Sequence, residues 1–343
     1  LGITIDVAYR YFTTPVRKYI LADTPGHAEF TRNMITGASS ADVAMLLVDA
    51  RHGVVEQTRR HAYITQLLRM PHVLVCINKM DLVDFNENIF LEIKNEVEKL
   101  FANVGHGIQR HYVPISALHG DNVVESSNRI PWYTSDSLMQ TLDSIEIETN
   151  RSKHPFRLPV QYLLADKLVV MGSVSSGKIK IGDEILNTRS KLFYRVESIL
   201  SAGENRQFAE SAESVAIGLN TFVDIERGDV FCLQNELPSI ANKLNVTICW
   251  LSEASYVSGM NLIFRQAHSE TSCYIHQVLN KIDISTQEYI MDNDSIEMND
   301  IVNLEITTSA NVVFDTYLEN HISGCFVFIH PKNFATVAAG FIN

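Results

Sequence analysis

The sequence is poor in cysteine, in positive charge and in long apolar runs, and each shortage excludes a class of protein. Cys76, Cys232, Cys249, Cys273 and Cys325 lie far apart and form no C-x-x-C pair. That excludes a dense disulfide frame and a cysteine-bound zinc site, and it points to thiols kept reduced in a cytosol. Basic residues number 28 against 40 acidic ones, a net charge of -12. The balance argues against a broad nucleic-acid footprint, which needs a basic face. No stretch approaches the roughly 20 apolar residues that span a bilayer as a helix. An initiator Met and a signal-peptide pattern are missing as well. The chain opens on Leu1-Gly2-Ile3-Thr4-Ile5-Asp6, in mid-motif. The expectation is a cytoplasmic, amino-terminally truncated protein without a membrane anchor.

What is present is apolar content of 46% in 343 residues, enough for two or three globular domains. Up to about residue 150, strand and helix patterns alternate. Extended segments are expected at Ala8–Phe12 and Arg17–Ala22 around a Thr13-Thr14-Pro15 turn. Asp42–Asp49 and His72–Ile77 are short, nearly continuous apolar runs, as in parallel strands covered on both faces. Gln57–Arg69 reads as a helix. Ile89, Phe90, Ile93, Val97, Leu100 and Phe101 recur at helical spacing, which predicts an amphipathic helix over Glu87–Asn103. His111–Ser116 reads as a strand and Ser135–Ile147 as a helix, with Ser135 as its cap. Such alternation implies a parallel sheet with right-handed crossovers.

Beyond the polar Arg151-Ser152-Lys153-His154-Pro155 linker the texture becomes short extended runs broken by Gly, Asp, Asn and Ser. Strands are expected at Leu158–Leu164, Gly177–Leu186, Tyr194–Leu200, Ser214–Leu219 and Val230–Leu233. After a break near Asn235-Glu236-Leu237-Pro238 they resume at Val246–Leu251, Asn261–Arg265, Tyr274–Ile284, Ile301–Thr307 and Cys325–His330. This is β-barrel texture, twice over. The predicted division is 1–150, 151–236 and 237–343.

The chemistry concentrates at strand ends in the first of these segments. Asn78-Lys79-Met80-Asp81 follows the run His72–Ile77, at the edge where α/β proteins bind nucleotides. A carboxylate at Asp81 can accept two hydrogen bonds from the N1–H and N2–H₂ edge of guanine. Adenine offers no such pair. The aliphatic stem of Lys79 can lie along the purine face. Ser116-Ala117-Leu118 ends another strand and can offer backbone groups to the guanine O6. Upstream, Asp23-Thr24-Pro25-Gly26-His27 closes a strand. Asp23 there can hold a Mg²⁺ ion through water, and Thr4 can ligate it directly, because Mg²⁺ completes its six oxygens from phosphates and water. Gly26 permits close approach of a backbone N–H to a γ-phosphate. His27 can orient the attacking water, the positioning that phosphoryl transfer demands. Each of these residues alone is ordinary; a solitary His is more often a hydrogen-bonded bystander, and Asn78 and Asp81 could merely cap a turn. Their order along one chain is what points to GTP.

Other candidates keep the plain reading. His106 and His111 lack the company of a metal site. Trp132 and Tyr133 look like a packing corner, and Arg59, Arg60 and His61 like a charged helix face. No G-x-x-x-x-G-K-[ST] loop occurs among these residues, although that loop supplies most of the phosphate grip in such sites.

The ordered set Thr4, Asp23–His27, Asn78–Asp81 and Ser116–Leu118, followed by two barrels, resembles the translation-factor class of GTPases. Within it, Gly2–Phe12, Ala22–His27, Thr31–Met34, Thr36–Ser39 and Glu56–His61 look like the GTPase subunit of ATP sulfurylase. Pro114–Leu118 with Gly120–Val123, Pro131–Tyr133, Phe156–Tyr162 and Ile225–Asp229 continue the likeness, which thins after about Ala165. The resemblance implies an α/β P-loop-type GTPase domain, here lacking its P-loop, followed by two β-barrel domains. It implies GTP and Mg²⁺ as ligands. It also implies a partner subunit that joins ATP and sulfate into adenosine 5′-phosphosulfate, with GTP hydrolysis coupled to that uphill step. Two other readings stay open: a translational GTPase of the elongation factor Tu type, and an interaction module that keeps the switches without hydrolysis.

Overall fold

The computed structural model describes residues 7–24, 34, 35, 38, 41–102, 107–147, 154–164, 168–221, 224–267, 269–283, 286, 288–291 and 295–343. The chain divides into two compact units. The first comprises Leu1–Ile147 with Asp283–Glu288, and the second Glu148–Ile282 with Tyr289–Asn343. No helix among the described residues is long and apolar enough to cross a membrane.

In the first unit, β1 (Ala8–Thr13) and β2 (Lys18–Asp23) form an antiparallel hairpin that is a sheet of its own. Next come β3 (Val43–Asp49), α1 (Glu56–Leu67), β4 (His72–Asn78), α2 (Glu87–Phe101), β5 (Gln109–Pro114) and α3 (Leu138–Ser144). Strands β3, β4 and β5 lie parallel in that order. Central β4 has His72 to Ile77 all buried, as a strand covered on both faces requires. Val73, Val75 and Ile77 pack with Phe90, Ile93, Val97 and Phe101 of α2 on one face. Leu74 and Cys76 pack with Val113, Leu138 and Leu142 on the other. The parallel register sets Asp49 opposite Asn78 at the carboxyl edge.

The helices follow local chemistry. Asn86 caps α2 by accepting from the Asn88 N–H at 2.8 Å. α3 starts later than the sequence suggests, with Ser137 rather than Ser135 at the cap. Ser137 Oγ accepts from Gln140 N, and Gln140 Oε1 accepts from Ser137 N, a reciprocal capping box. Trp132 and Tyr133 do form a packing corner: Trp132 stacks at a tilt on Phe90 and donates its indole N–H to the Phe85 carbonyl at 2.8 Å.

The second unit holds two β cores. In the first, the expected strand Leu158–Leu164 is broken into Leu158–Pro159 and Tyr162–Leu164. These two pieces are the opposite ends of one sheet path, so the two residues between them force the sheet to curl into a half-barrel. Gly177–Leu186 likewise splits at Gly182, whose φ of 93° turns the chain between Lys178–Lys180 and Glu184–Asn187. Phe156, Leu158, Val170, Ile185, Tyr194, Ile217 and Phe231 fill this core. In the second core the expected Val246–Leu251 falls almost wholly in a longer strand, Ser239–Trp250. Leu262–Gln266 pairs with both Ser269–Asp283 and Cys325–Ile329, which closes a barrel around Trp250, Phe264, Leu304, Ile306 and Phe328. Strands Val169–Ser173 and Thr336–Ile342, absent from the sequence expectation, complete the two sheets. All five cysteines are free, four of them buried in strands and Cys325 exposed.

Candidate functional site

The carboxyl ends of β3, β4 and β5 meet at one edge, and three loops rise from it. At the end of β4 the chain turns sharply: Lys79 sits in the left-handed region with φ 63°. Met80–Val83 then make one 3₁₀ turn. Met80 is fully buried and donates its N–H to the Ile115 carbonyl at 3.2 Å, so the turn hangs on the end of β5.

Asn78 is the joint. Its side-chain Oδ1 accepts from Lys79 N at 2.7 Å and from Ala117 N at 3.0 Å. One amide therefore fixes the loop after β4 and the loop after β5 to each other. The second loop is closed independently. Gly120 N donates to the Ser116 carbonyl, and Ser116 and Asp121 form an isolated β-bridge. Asp121 is held by Ser127 Oγ at 2.6 Å and by the Arg129 guanidinium at 3.1 Å. Leu118 points outward and is largely exposed.

Asp81 comes to this corner with its carboxylate only 9% exposed. The nearby Ser116 hydroxyl, with smaller help from His119 and Arg129, holds its carboxyl below the ordinary carboxylate range against the opposing effect of burial. Yet Ser116 Oγ is fully buried and makes no hydrogen bond of good geometry. An ionised carboxylate with little exposure at a loop corner suits a ligand that brings paired donors. The edge of guanine is of that kind.

Two residues that the sequence reading passed over belong to the same corner. Asp49, at the end of β3, accepts Lys79 Nζ at 2.8 Å and a two-pronged contact from Arg51, Nε at 3.0 Å and Nη2 at 2.6 Å. The Arg51 hydrogen bonds, followed by Lys79, pull the Asp49 carboxyl far below its usual range. Asp49 thus anchors the head of Lys79. His119 brings Nε2 to 3.7 Å from Asp81 Oδ2. The signal for Asp49 was its place at a strand end in register with Asn78; nothing local marked His119.

The other expected residues divide into two groups. Asp23 is exposed at the end of β2, and Thr24 follows it half-buried. Thr4, Pro25, Gly26 and His27 lie outside the described residues. Among the described residues no three His, Cys, Asp or Glu side chains gather as a metal site.

Comparison with known proteins fits this geometry. The model of the elongation factor Tu GTP binding domain matches residues 1–147, and that of the GTP-eEF1A C-terminal domain-like family matches residues 243–343. Sulfate adenylyltransferase subunit 1 of Aliarcobacter butzleri is 42% identical over 99% of this chain and 73% of its own. The protein of the same name from Teredinibacter turnerae is 41% identical, again over 99% and 73%. The chain belongs to the sulfate adenylyltransferase subunit 1 family. A solved structure of sup35 complexed with GDP shares the fold at a TM-score of 0.53 and 23% identity, covering 97% of this chain and 83% of that one. The stretch aligned with the Aliarcobacter butzleri protein spans 99% of this chain, so the likeness to the sulfate adenylyltransferase subunit 1 family takes in both β cores as well as the α/β unit.

Proposed function

We propose that this chain is a GTP-hydrolysing subunit of sulfate adenylyltransferase, coupling hydrolysis to the formation of adenosine 5′-phosphosulfate from ATP and sulfate. The observation that carries the reading is the base corner, in which one amide, Asn78, braces both loops around a largely buried Asp81 carboxylate. Residues 1–150 take the nucleotide, and the barrels at 151–236 and 237–343 complete the subunit. The name subunit 1, borne by the relatives, implies a partner subunit. That partner would carry out adenylyl transfer.

The division of labour follows from the side chains. Asp81 accepts from guanine N1–H and N2–H₂. Lys79, anchored by Asp49, lays its stem along the purine, and Ser116, Ala117 and Leu118 present the loop that meets O6. Asp23 and Thr4 would hold Mg²⁺. An exposed carboxylate at a strand end suits an ion that takes only one or two protein ligands, and the ion would neutralise charge on the transferred phosphoryl group. Thr24, Pro25 and Gly26 would meet the γ-phosphate, with Gly26 offering its backbone N–H, and His27 would orient water. Coupling requires that the partner bind the chain's two nucleotide states with different affinity.

His27→Ala, made in a protein that also carries the phosphate-gripping loop, tests the catalytic half. GTP affinity should stay nearly constant, because the imidazole addresses water rather than the ground-state nucleotide. Hydrolysis should fall on the order of 10²- to 10⁴-fold. With the partner, ATP and sulfate present, phosphosulfate accumulation should fall in parallel. Normal accumulation without GTP cleavage would refute the coupling.

A further inference from the structure

Lys79 is held at both ends by the protein itself. Its backbone N–H, at a φ of 63°, donates to Asn78 Oδ1 at 2.7 Å, and its ammonium donates to Asp49 Oδ2 at 2.8 Å. The aliphatic stem is thereby drawn between two fixed points. An unanchored lysine samples many rotamers, and ordering a side chain of that length opposes binding.

The second fixed point is only as firm as the Asp49 carboxylate, and three of the four hydrogen bonds to that carboxylate come from one residue. Arg51 donates its backbone N–H and its Nε to Oδ1, each at 3.0 Å, and its Nη2 to Oδ2 at 2.6 Å. Lys79 makes the fourth. A planar guanidinium that grips both oxygens fixes the plane of a carboxylate, which a point charge does not. The parallel register sets Asp49 opposite Asn78, so the fixed carboxylate lies next to the turn that carries Lys79. Among the described residues, the Arg51 guanidinium hydrogen-bonds to Asp49 alone. The Arg51 side chain is 41% exposed, and pairs so exposed stabilise a fold only modestly. The arrangement is better explained by what it holds.

We propose that Arg51 is a positioning residue of the base site. Through Asp49 it fixes the ammonium of Lys79, and so pre-sets the stem that lies along the purine face. This rests on the reading of the corner as the guanine site. Arg51 thus acts on the face of the base and not on the edge that Asp81 meets. Its effect should be blind to the exocyclic amine of guanine.

The experiment is calorimetric binding of GDP and of inosine diphosphate, whose base lacks that amine, in a protein that also carries the phosphate-gripping loop. Arg51→Ala should weaken both nucleotides about two- to tenfold, the usual cost of ordering one long side chain on binding. The preference for GDP over inosine diphosphate should hold. Arg51→Lys keeps the charge but loses the fork, and should fall between Arg51→Ala and the unaltered protein. Lys79→Met keeps an apolar stem without an ammonium to anchor. Adding Arg51→Ala to Lys79→Met should therefore weaken binding no further. An unchanged Kd in Arg51→Ala, or an equal further loss on the Lys79→Met background, would overturn the proposal. So would collapse of the GDP preference in Arg51→Ala, which would make Arg51 a general prop of the corner. Failure of the guanine reading shows differently, as equal affinity of the unaltered protein for the two nucleotides, and would remove the proposal with it.

Discussion

Asp81 and Asp49 end neighbouring segments at the same edge, yet their carboxylates face different tasks. On the proposed reading Asp81 is the acceptor for the guanine edge. Asp81→Asn replaces one accepting oxygen with a donor, so the guanine amine edge meets a like group. Guanine nucleotides should lose about 1–3 kcal/mol, the usual cost of an unpaired buried group, and xanthine nucleotides should gain. A competition assay that leaves the guanine preference intact would sink the assignment. Asp49 is already satisfied by Arg51 and Lys79. Its carboxyl is depressed on folding, so its contribution to stability is present above the unfolded value near ~4 and is lost as pH falls toward the folded one. Asp49→Asn should therefore lower the urea midpoint near neutrality, with the difference from the unaltered chain shrinking in acid. A constant difference from neutral pH into acid would show that the Lys79 anchor is not electrostatic.

At the scale of elements, the β1–β2 hairpin is tied to α3 through Asp143. Thr14 Oγ1 donates to its carboxylate at 2.9 Å, the Tyr19 hydroxyl donates to the same oxygen, and the Arg17 guanidinium donates to its backbone carbonyl at 3.0 Å. Burial first, and the Asp143 hydrogen bond second, push the Tyr19 phenol up to about 12. Asp143→Ala should bring the phenol only part of the way back toward ten, because burial persists. A spectrophotometric titration of Tyr19 against a Tyr19→Phe blank measures it, and an unmoved midpoint would mean that the hairpin does not lean on α3. α3 itself is seven residues long and depends on its ends. Ser137→Ala removes the buried capping hydroxyl and should cost about 1 kcal/mol, read as a lower thermal midpoint of the α/β unit.

At the scale of the molecule, the two β cores of the second unit are joined by a polar knot. Arg157, 2% exposed, forks onto Asp315 with Nε at 3.0 Å and Nη2 at 2.7 Å, and its Nη1 donates to the Phe156 and Glu236 carbonyls. Asn320 and Ser323 complete the shell around Asp315. Breaking such a pair strands a buried charge, so Arg157→Met should cost roughly 3–5 kcal/mol. Replacing both partners, Arg157→Met with Asp315→Leu, leaves no orphan charge and should recover most of that loss. Urea unfolding of the two variants decides it: equal destabilisation would show that the pair is not coupled.

By itself the sequence determined what repeats locally. Apolar runs at 42–49 and 72–77 marked parallel strands, the 3–4 spacing after Glu87 marked α2, and broken short runs marked the barrels, because side-chain periodicity reports which face is buried. Of the two runs only 72–77 is covered on both faces, since β3 lies at the sheet edge and its Leu47 is largely exposed. Where the pattern was interrupted rather than periodic, as at Val160-Gln161 and Gly182, a single run concealed two strands. The motif residues Asn78 to Asp81 and Ser116 to Leu118 were likewise legible, since each follows an apolar run directly. Only the tertiary structure decided what those residues touch. Asn78 bonds Ala117 39 positions away, Lys79 reaches Asp49 30 positions back, and Arg157 meets Asp315 across 158. Such pairs are fixed by the register in which parallel strands bring their carboxyl ends together and by the curl that closes a sheet. A linear pattern carries neither distance, so Asn78 could be read as a base contact from sequence, and its work as the joint between two loops emerged only from the fold.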